Sequence, residues 1–172
     1  MNDLLVLSVT APAAGPIKMN KLSFTIATTT ATLASPTFSG PSGNVASSTN
    51  VTLNAAGTAV TVWFDSTTNT ADAEVAAGAT KTYTLRGTVT LTGSNTTGAV
   101  STALKADTAY PSLSGFMGTA TTDIAGSNLV WSPESTTTPA AAGNDWTNGY
   151  GLGGCFTTSG IGNDCTARVI SK

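Results

Sequence analysis

The dominant spacing of apolar residues along the chain is two. On an extended backbone that period sends successive side chains to opposite faces of a sheet. Residues 80–91, TKTYTLRGTVTL, show it most fully: Tyr83, Leu85, Val89 and Leu91 fall on one face, with Thr82, Thr84, Arg86, Thr88 and Thr90 on the other. Residues 58–65 repeat it, with Val60, Val62 and Phe64 inward and Thr61, Trp63 and Asp65 outward. Residues 21–27 set Leu22, Phe24 and Ile26 against Lys21, Ser23 and Thr25. Each reads as a strand with one wet face. Weaker extended runs at 4–9, 30–38, 44–53, 98–105, 113–120, 128–132 and 166–171 bring the expectation to about ten strands.

Turn signals separate these runs at Ser39-Gly40-Pro41-Ser42-Gly43, Ala55-Ala56-Gly57, Ala76-Ala77-Gly78 and Gly93-Ser94-Asn95. No capped segment of helical period reaches ten residues, and the Ala-rich patch at 72–79, interrupted by Gly78, reads as a loop. The expected fold class is therefore all-β, an antiparallel β-sandwich of immunoglobulin-like or jelly-roll-like architecture. An antibody-type domain is disfavoured, because Cys155 and Cys165 stand ten positions apart and cannot bridge two sheets around a central Trp. The organisation expected is an N-terminal strand and hinge over 1–16 and a sandwich over 17–132. Over 133–172 a loop excursion then returns as the final strand of the same domain.

Composition narrows the function classes. The 172 residues suit one large domain, and they hold 34 Thr, 17 Ser and 25 Ala against seven basic and nine acidic residues, with no His. That balance argues against charged, proline-rich disorder, against a coiled coil and, without a basic run, against a nucleic-acid partner. The missing histidine removes the commonest general base and metal ligand. No catalytic constellation stands out, so the expectation is a protein that is not an enzyme and carries no cofactor or metal. The apolar run at 4–7 is far shorter than the roughly 20 residues of a membrane span, so no membrane insertion is expected. Two cysteines and few charges point to an extracellular chain whose export signal has been removed.

Candidate sites are few. Cys155 and Cys165 enclose FTTSGIGND, whose two glycines can turn the chain back, and read as a disulfide; a redox or metal pair lacks the C-x-x-C spacing and partner ligands. Asn144, Asp145, Asn148, Asn163 and Asp164 offer oxygens of the kind calcium takes, but at no calcium-loop spacing, and read as turn caps. Asp72 and Glu74 read as solvated loop carboxylates rather than a glycosidase pair. Trp63 on a wet strand face, and Trp146 with Tyr150 on a loop, are candidate surface contacts for a sugar ring or a neighbouring subunit. Trp131 beside Val130 reads as core. At the N-terminus Leu4, Leu5, Val6, Leu7 and Val9 are apolar on both faces of an extended chain, before a break at Ala11-Pro12-Ala13-Ala14-Gly15-Pro16. Such a strand must be covered on both sides, either as a central strand of its own sandwich or as an assembly strand inserted into another copy.

Several stretches together carry a resemblance. They are Leu4-Leu5-Val6-Leu7-Ser8-Val9-Thr10-Ala11 leading to Lys21-Leu22-Ser23-Phe24-Thr25-Ile26, and Val75-Ala76-Ala77-Gly78-Ala79-Thr80-Lys81-Thr82-Tyr83-Thr84-Leu85. Asn128-Leu129-Val130-Trp131-Ser132 and Asp145-Trp146-Thr147-Asn148-Gly149-Tyr150 complete the set. This pattern resembles the secreted Thr/Ala-rich β-sandwich surface proteins of Parcubacteria-type bacteria. The resemblance implies export, a sandwich fold and a cell-surface role; its motifs are structural, and the cysteine-bearing tail lies outside them. The function expected is an extracellular structural subunit that assembles with copies of itself into a filament, pilus-like fibre or surface layer by N-terminal strand exchange. The alternative is a cell-surface adhesin or carbohydrate-binding module, with glycans as partners.

Overall fold

The structure, a computed structural model, describes residues 1–45, 50–64, 70–110, 117–119, 122–123, 127–134, 145–150, 165 and 167–171. Strands β1 (Asn2–Thr10), β2 (Ile17–Thr29) and β3 (Ala31–Gly40) come first, and the two-residue β4 (Gly43–Asn44) folds back on β3. β5 (Val51–Leu53) pairs with β6 (Ala59–Trp63), and one helical turn, α1 (Thr70–Ala73), leads into β7 (Glu74–Val75). Then come β8 (Thr80–Leu91), β9 (Ala99–Leu104) and a small hairpin of β10 (Met117–Thr119) and β11 (Thr122–Asp123). β12 (Leu129–Ser132), β13 (Thr147–Asn148) and β14 (Arg168–Ser171) complete the set. The described residues thus hold fourteen extended segments rather than about ten, the excess lying mainly in two-residue pieces such as β7 and β13. The patch at 72–79 is also more than a loop, since α1 ends and β7 lies within it.

These segments form an antiparallel β-sandwich. One sheet has the order β1-β8-β3-β4. The other is built on β2, which uses both of its edges. Along one edge β7 pairs with Ile17 and Lys18, and β6 with residues 21–25; along the other β12 pairs with residues 18–22, and β9 with residues 24–29. β5, β13 and β14 extend outward from β6, β12 and β9.

Between the sheets the period-two residues interleave. Phe24 and Phe64 enter from the β2 sheet, and Phe38 and Tyr83 from the β8 sheet. Phe38 touches all three partners, stacked on Tyr83 with centroids 5.7 Å apart, edge-on to Phe64 at 5.9 Å and tilted to Phe24 at 5.9 Å. Tyr83 keeps its polar tip satisfied by donating its hydroxyl to the Asp72 main-chain oxygen at 2.7 Å. Burial, and then the Asp72 carboxylate, push that hydroxyl above the usual phenol range.

Three bulges shift which residues face inward. In β1, Asp3 pairs with Arg86 and Leu5 with Leu85, so Leu4 is the extra residue. In β2, Lys21 pairs with Val130 and Met19 with Trp131, so Asn20 is the extra residue. In β3, Ala34 pairs with Thr88 and Thr37 with Arg86, and Ser35 within the bulge takes a φ of 49°. An extra residue reverses the alternation beyond it. Buried residues accordingly run Ile17 and Met19, then Leu22, Phe24 and Ile26; and Ala31 and Leu33, then Phe38.

The β1 bulge corrects the reading of a strand covered on both faces. Leu4 is fully buried, Leu5, Leu7 and Val9 pack partly against the core, and Val6 points out, 46% exposed. β1 is an edge strand of its own sandwich with one wet face, neither central nor doubly buried. Gly87, opposite, gives Leu4 its room: a Cβ there would lie 2.5 Å from Leu33 Cδ1 and 3.1 Å from Leu4 Cδ1. A second correction concerns β2, whose outer face was expected wet. Lys21 and Ser23 are buried, because β2 is flanked on both edges and the Lys21 ammonium lies over the Trp63 ring, 4.8 Å from its centroid.

Candidate functional site

Two buried carboxylates, Asp72 and Asp107, hold separate segments of the chain together. Asp72, at the end of α1, is 1% exposed rather than solvated as expected. It accepts the Ser42 N–H at 2.9 Å and the Ser42 hydroxyl at 3.1 Å, pinning the β3–β4 turn, and Lys81 Nζ stands 3.8 Å away. Glu74, two residues on, is exposed, and its main-chain oxygen accepts Lys81 Nζ at 2.6 Å. The two carboxylates therefore do different jobs.

Asp107, which the sequence reading passed over, organises the second cluster. β9 and β12 lie end to end along one edge of β2, and the chain leaves β9 just before Asp107. The buried Asp107 carboxylate accepts three main-chain N–H groups, from Asn128 at 2.6 Å, Leu129 at 3.1 Å and Gly149 at 2.8 Å. It ties together the end of β9, the start of β12 and the end of β13. Asn128 returns the tie by donating its side-chain amide to the Ala106 oxygen at 2.7 Å.

Asn148 completes the cluster. Its Nδ2 donates to the Ala109 oxygen at 2.8 Å and to Ser127 Oγ at 3.3 Å, and its Oδ1 accepts the Tyr150 N–H at 3.1 Å. One buried amide thus fixes the main chain beside two tyrosines. Tyr110 and Tyr150 meet edge to face, with centroids 4.4 Å apart at an interplanar angle of 71°; Tyr110 is 72% exposed and Tyr150 half-buried. Tyr110 was not singled out from sequence. The only signal for it is an aromatic residue immediately before Pro111, outside any alternating run.

The tryptophans redistribute. Trp146 is buried against Val130 and is no surface contact. Trp131 packs against the core as expected, half-buried, and donates its Nε1–H to the Asn148 main-chain oxygen at 2.9 Å. Trp63 stays on the outer face but is half-buried beneath Lys21. Asp145 accepts the Ser132 hydroxyl at 2.6 Å, and that hydroxyl oxygen in turn accepts the Glu134 N–H at 3.0 Å. Burial, then repulsion from Glu74 and Asp145, outweigh the opposing pull of Lys18 and raise the Glu134 carboxyl above its usual range. Asn144, Asn163, Asp164 and Cys155 lie outside the described residues. Cys165 is half-buried, packs against the core and donates its N–H to the Leu104 oxygen at 3.0 Å.

No family model, curated protein or solved structure matches the chain.

Two outcomes follow from these contacts. Asp107→Ala leaves three inward main-chain N–H groups without their acceptor and lowers unfolding free energy by about 3 kcal/mol or more, measured by denaturant titration. Asp107→Asn, which keeps one acceptor oxygen, costs less. Glu134 binds its proton more tightly folded than unfolded, so its contribution to stability is present below the unfolded carboxylate range and lost as pH rises through the folded value. Glu134→Gln therefore raises the melting temperature at neutral pH, and the gain vanishes below about pH 4.

Proposed function

We propose that the chain is an extracellular structural subunit without catalytic activity, which joins copies of itself into a filament, pilus-like fibre or surface layer by exchanging β1. The observation that carries this reading is the position of β1. It lies at a sheet edge, and among the described residues β8 is its only strand partner. A strand held along one edge can leave its own β8 and pair in the same register with the β8 of another copy, giving a head-to-tail junction. Chain reversal between β1 and β2 falls to residues 11–16, which can instead extend and carry the strand across. The first two of these travel with β1, because Ala11 donates its N–H to the Ala79 oxygen and Pro12 accepts the Gly78 N–H, each at 3.0 Å. The hinge is accordingly Ala13-Ala14-Gly15-Pro16.

Ser8 and Thr82 provide the test, since their hydroxyl oxygens lie 3.2 Å apart across the β1–β8 ladder. Subunits carrying only Ser8→Cys, mixed with subunits carrying only Thr82→Cys and oxidised, are expected to yield a disulfide-linked pair that maps to these positions. Deletion of residues 1–11 abolishes polymers seen by negative stain. Absence of the mixed disulfide under conditions that form polymers overturns strand exchange; absence of polymers in native material overturns the structural role.

The same reading makes Cys155 and Cys165 a disulfide formed after export, contributing on the order of 2–3 kcal/mol by closing a short loop. Alkylation without prior reduction should label neither cysteine. Labelling of both removes the bridge and with it the main support for an oxidising compartment.

A further inference from the structure

We infer that Tyr110 and Tyr150 form a binding site for a neutral glycan, a pyranose ring seated on the exposed tyrosine face. Three features point there. First, the pair is presented rather than buried: Tyr110 is 72% exposed, while the other large aromatics among the described residues are buried or half-buried. Second, the pair is held in advance of any ligand. The Ala109 oxygen beside Tyr110 and the Tyr150 N–H are bound by the two ends of the single Asn148 amide, and Asp107 holds the Gly149 N–H between them in sequence. Tyrosine in such a setting offers rigid amphipathic contact area at little conformational cost. Third, Asp107, the acid that holds this cluster, is buried with both oxygens engaged by N–H donors.

Those features select the ligand chemistry. Edge-to-face packing sets the two rings nearly perpendicular and fixes Tyr110 against Tyr150, and the 72% exposure of Tyr110 leaves ring surface open to a ligand. A pyranose presents a patch of C–H groups on one face and hydroxyls around its rim, which matches one exposed aromatic ring. A polyproline helix needs a row of aromatic slots along a groove, and one exposed ring supplies a single slot. The site hangs from β9, β12 and β13 of the β2 sheet, whereas β1 belongs to the opposite sheet.

The test is calorimetric titration of the full chain with soluble hexamers of β-1,4-linked glucose and of β-1,4-linked N-acetylglucosamine, alongside an oligoproline peptide. At least one hexamer is expected to bind. Tyr110→Ala should weaken that binding by about tenfold, the ratio that roughly 1.4 kcal/mol represents, with the melting temperature unchanged because the ring is exposed. Tyr110→Trp should retain the binding. Deletion of residues 1–11, if the remainder stays folded by circular dichroism, should leave it intact. Failure of both hexamers to bind, binding indifferent to Tyr110→Ala, or binding of oligoproline in their place overturns the inference.

Discussion

The structure depends on β2 being paired along both edges at once. Thirteen residues carry β7 and β6 on one side and β12 and β9 on the other, so removing β2 breaks its sheet into the separate pairs β5–β6, β12–β13 and β9–β14 and leaves β7 alone. Up to residue 25 the strand is flanked along both edges and shows little wet face, and only residues 27–29 are exposed. Its polar residues must therefore be accommodated inside the fold, and Lys21 is, with its stem buried and its ammonium over Trp63. The same constraint explains Asp107. Because β9 and β12 share one edge of β2 end to end, their junction breaks the ladder, and the orphaned N–H groups there need an acceptor that is not a strand. A carboxylate with several lone pairs can serve three of them.

How far the fold was legible follows from the same physics. β8 alternates without interruption, and its sequence limits, 80–91, are those of the observed strand. β6 was nearly as clear. The bulged strands were not, because alternation is read by parity and a bulge reverses parity without changing composition. Leu4 and Leu5 illustrate this: an unbroken alternation puts them on opposite faces, and the apparent apolar outer face led to a strand covered on both sides. With Leu4 as the extra residue, both turn toward the core and only Val6 remains outside. Ser35-Pro36 was the one bulge with a local sign, since proline inside a strand run removes a ladder donor.

Of the candidate site, one residue of the tyrosine pair was legible and the other was not. Tyr150 stood out as an aromatic residue in a Gly/Asn-rich stretch that reads as a loop. Tyr110 is separated from it by forty positions, and what joins them is the Asn148 amide, a contact invisible to periodicity. Trp146 erred in the opposite direction. A loop position suggested exposure, yet β13 adds itself to β12 and turns the indole onto Val130, making a small second core beside the main one.

Strand exchange gains no β1–β8 contact that the closed subunit lacks. The ladder, the Leu4 pocket beneath Gly87 and the Ser8–Thr82 and Thr10–Thr80 hydroxyl pairs are the same whether β8 belongs to the same chain or to the next. The balance is set by two smaller terms. The closed form benefits from tethering, since residues 11–16 hold β1 at a high effective concentration near its own β8; the open form benefits from any strain relieved when the hinge extends. Pro16 favours the second, because its fixed φ stiffens the hinge, whereas the Gly15 N–H donated to the Pro12 oxygen at 3.3 Å favours the first. The Ala11–Ala79 and Pro12–Gly78 hydrogen bonds favour neither, as they move with the strand. Assembly by the proposed route is consequently steep in concentration, because the tether of the closed form is outcompeted only when the β8 of a neighbouring copy is itself present at high local concentration.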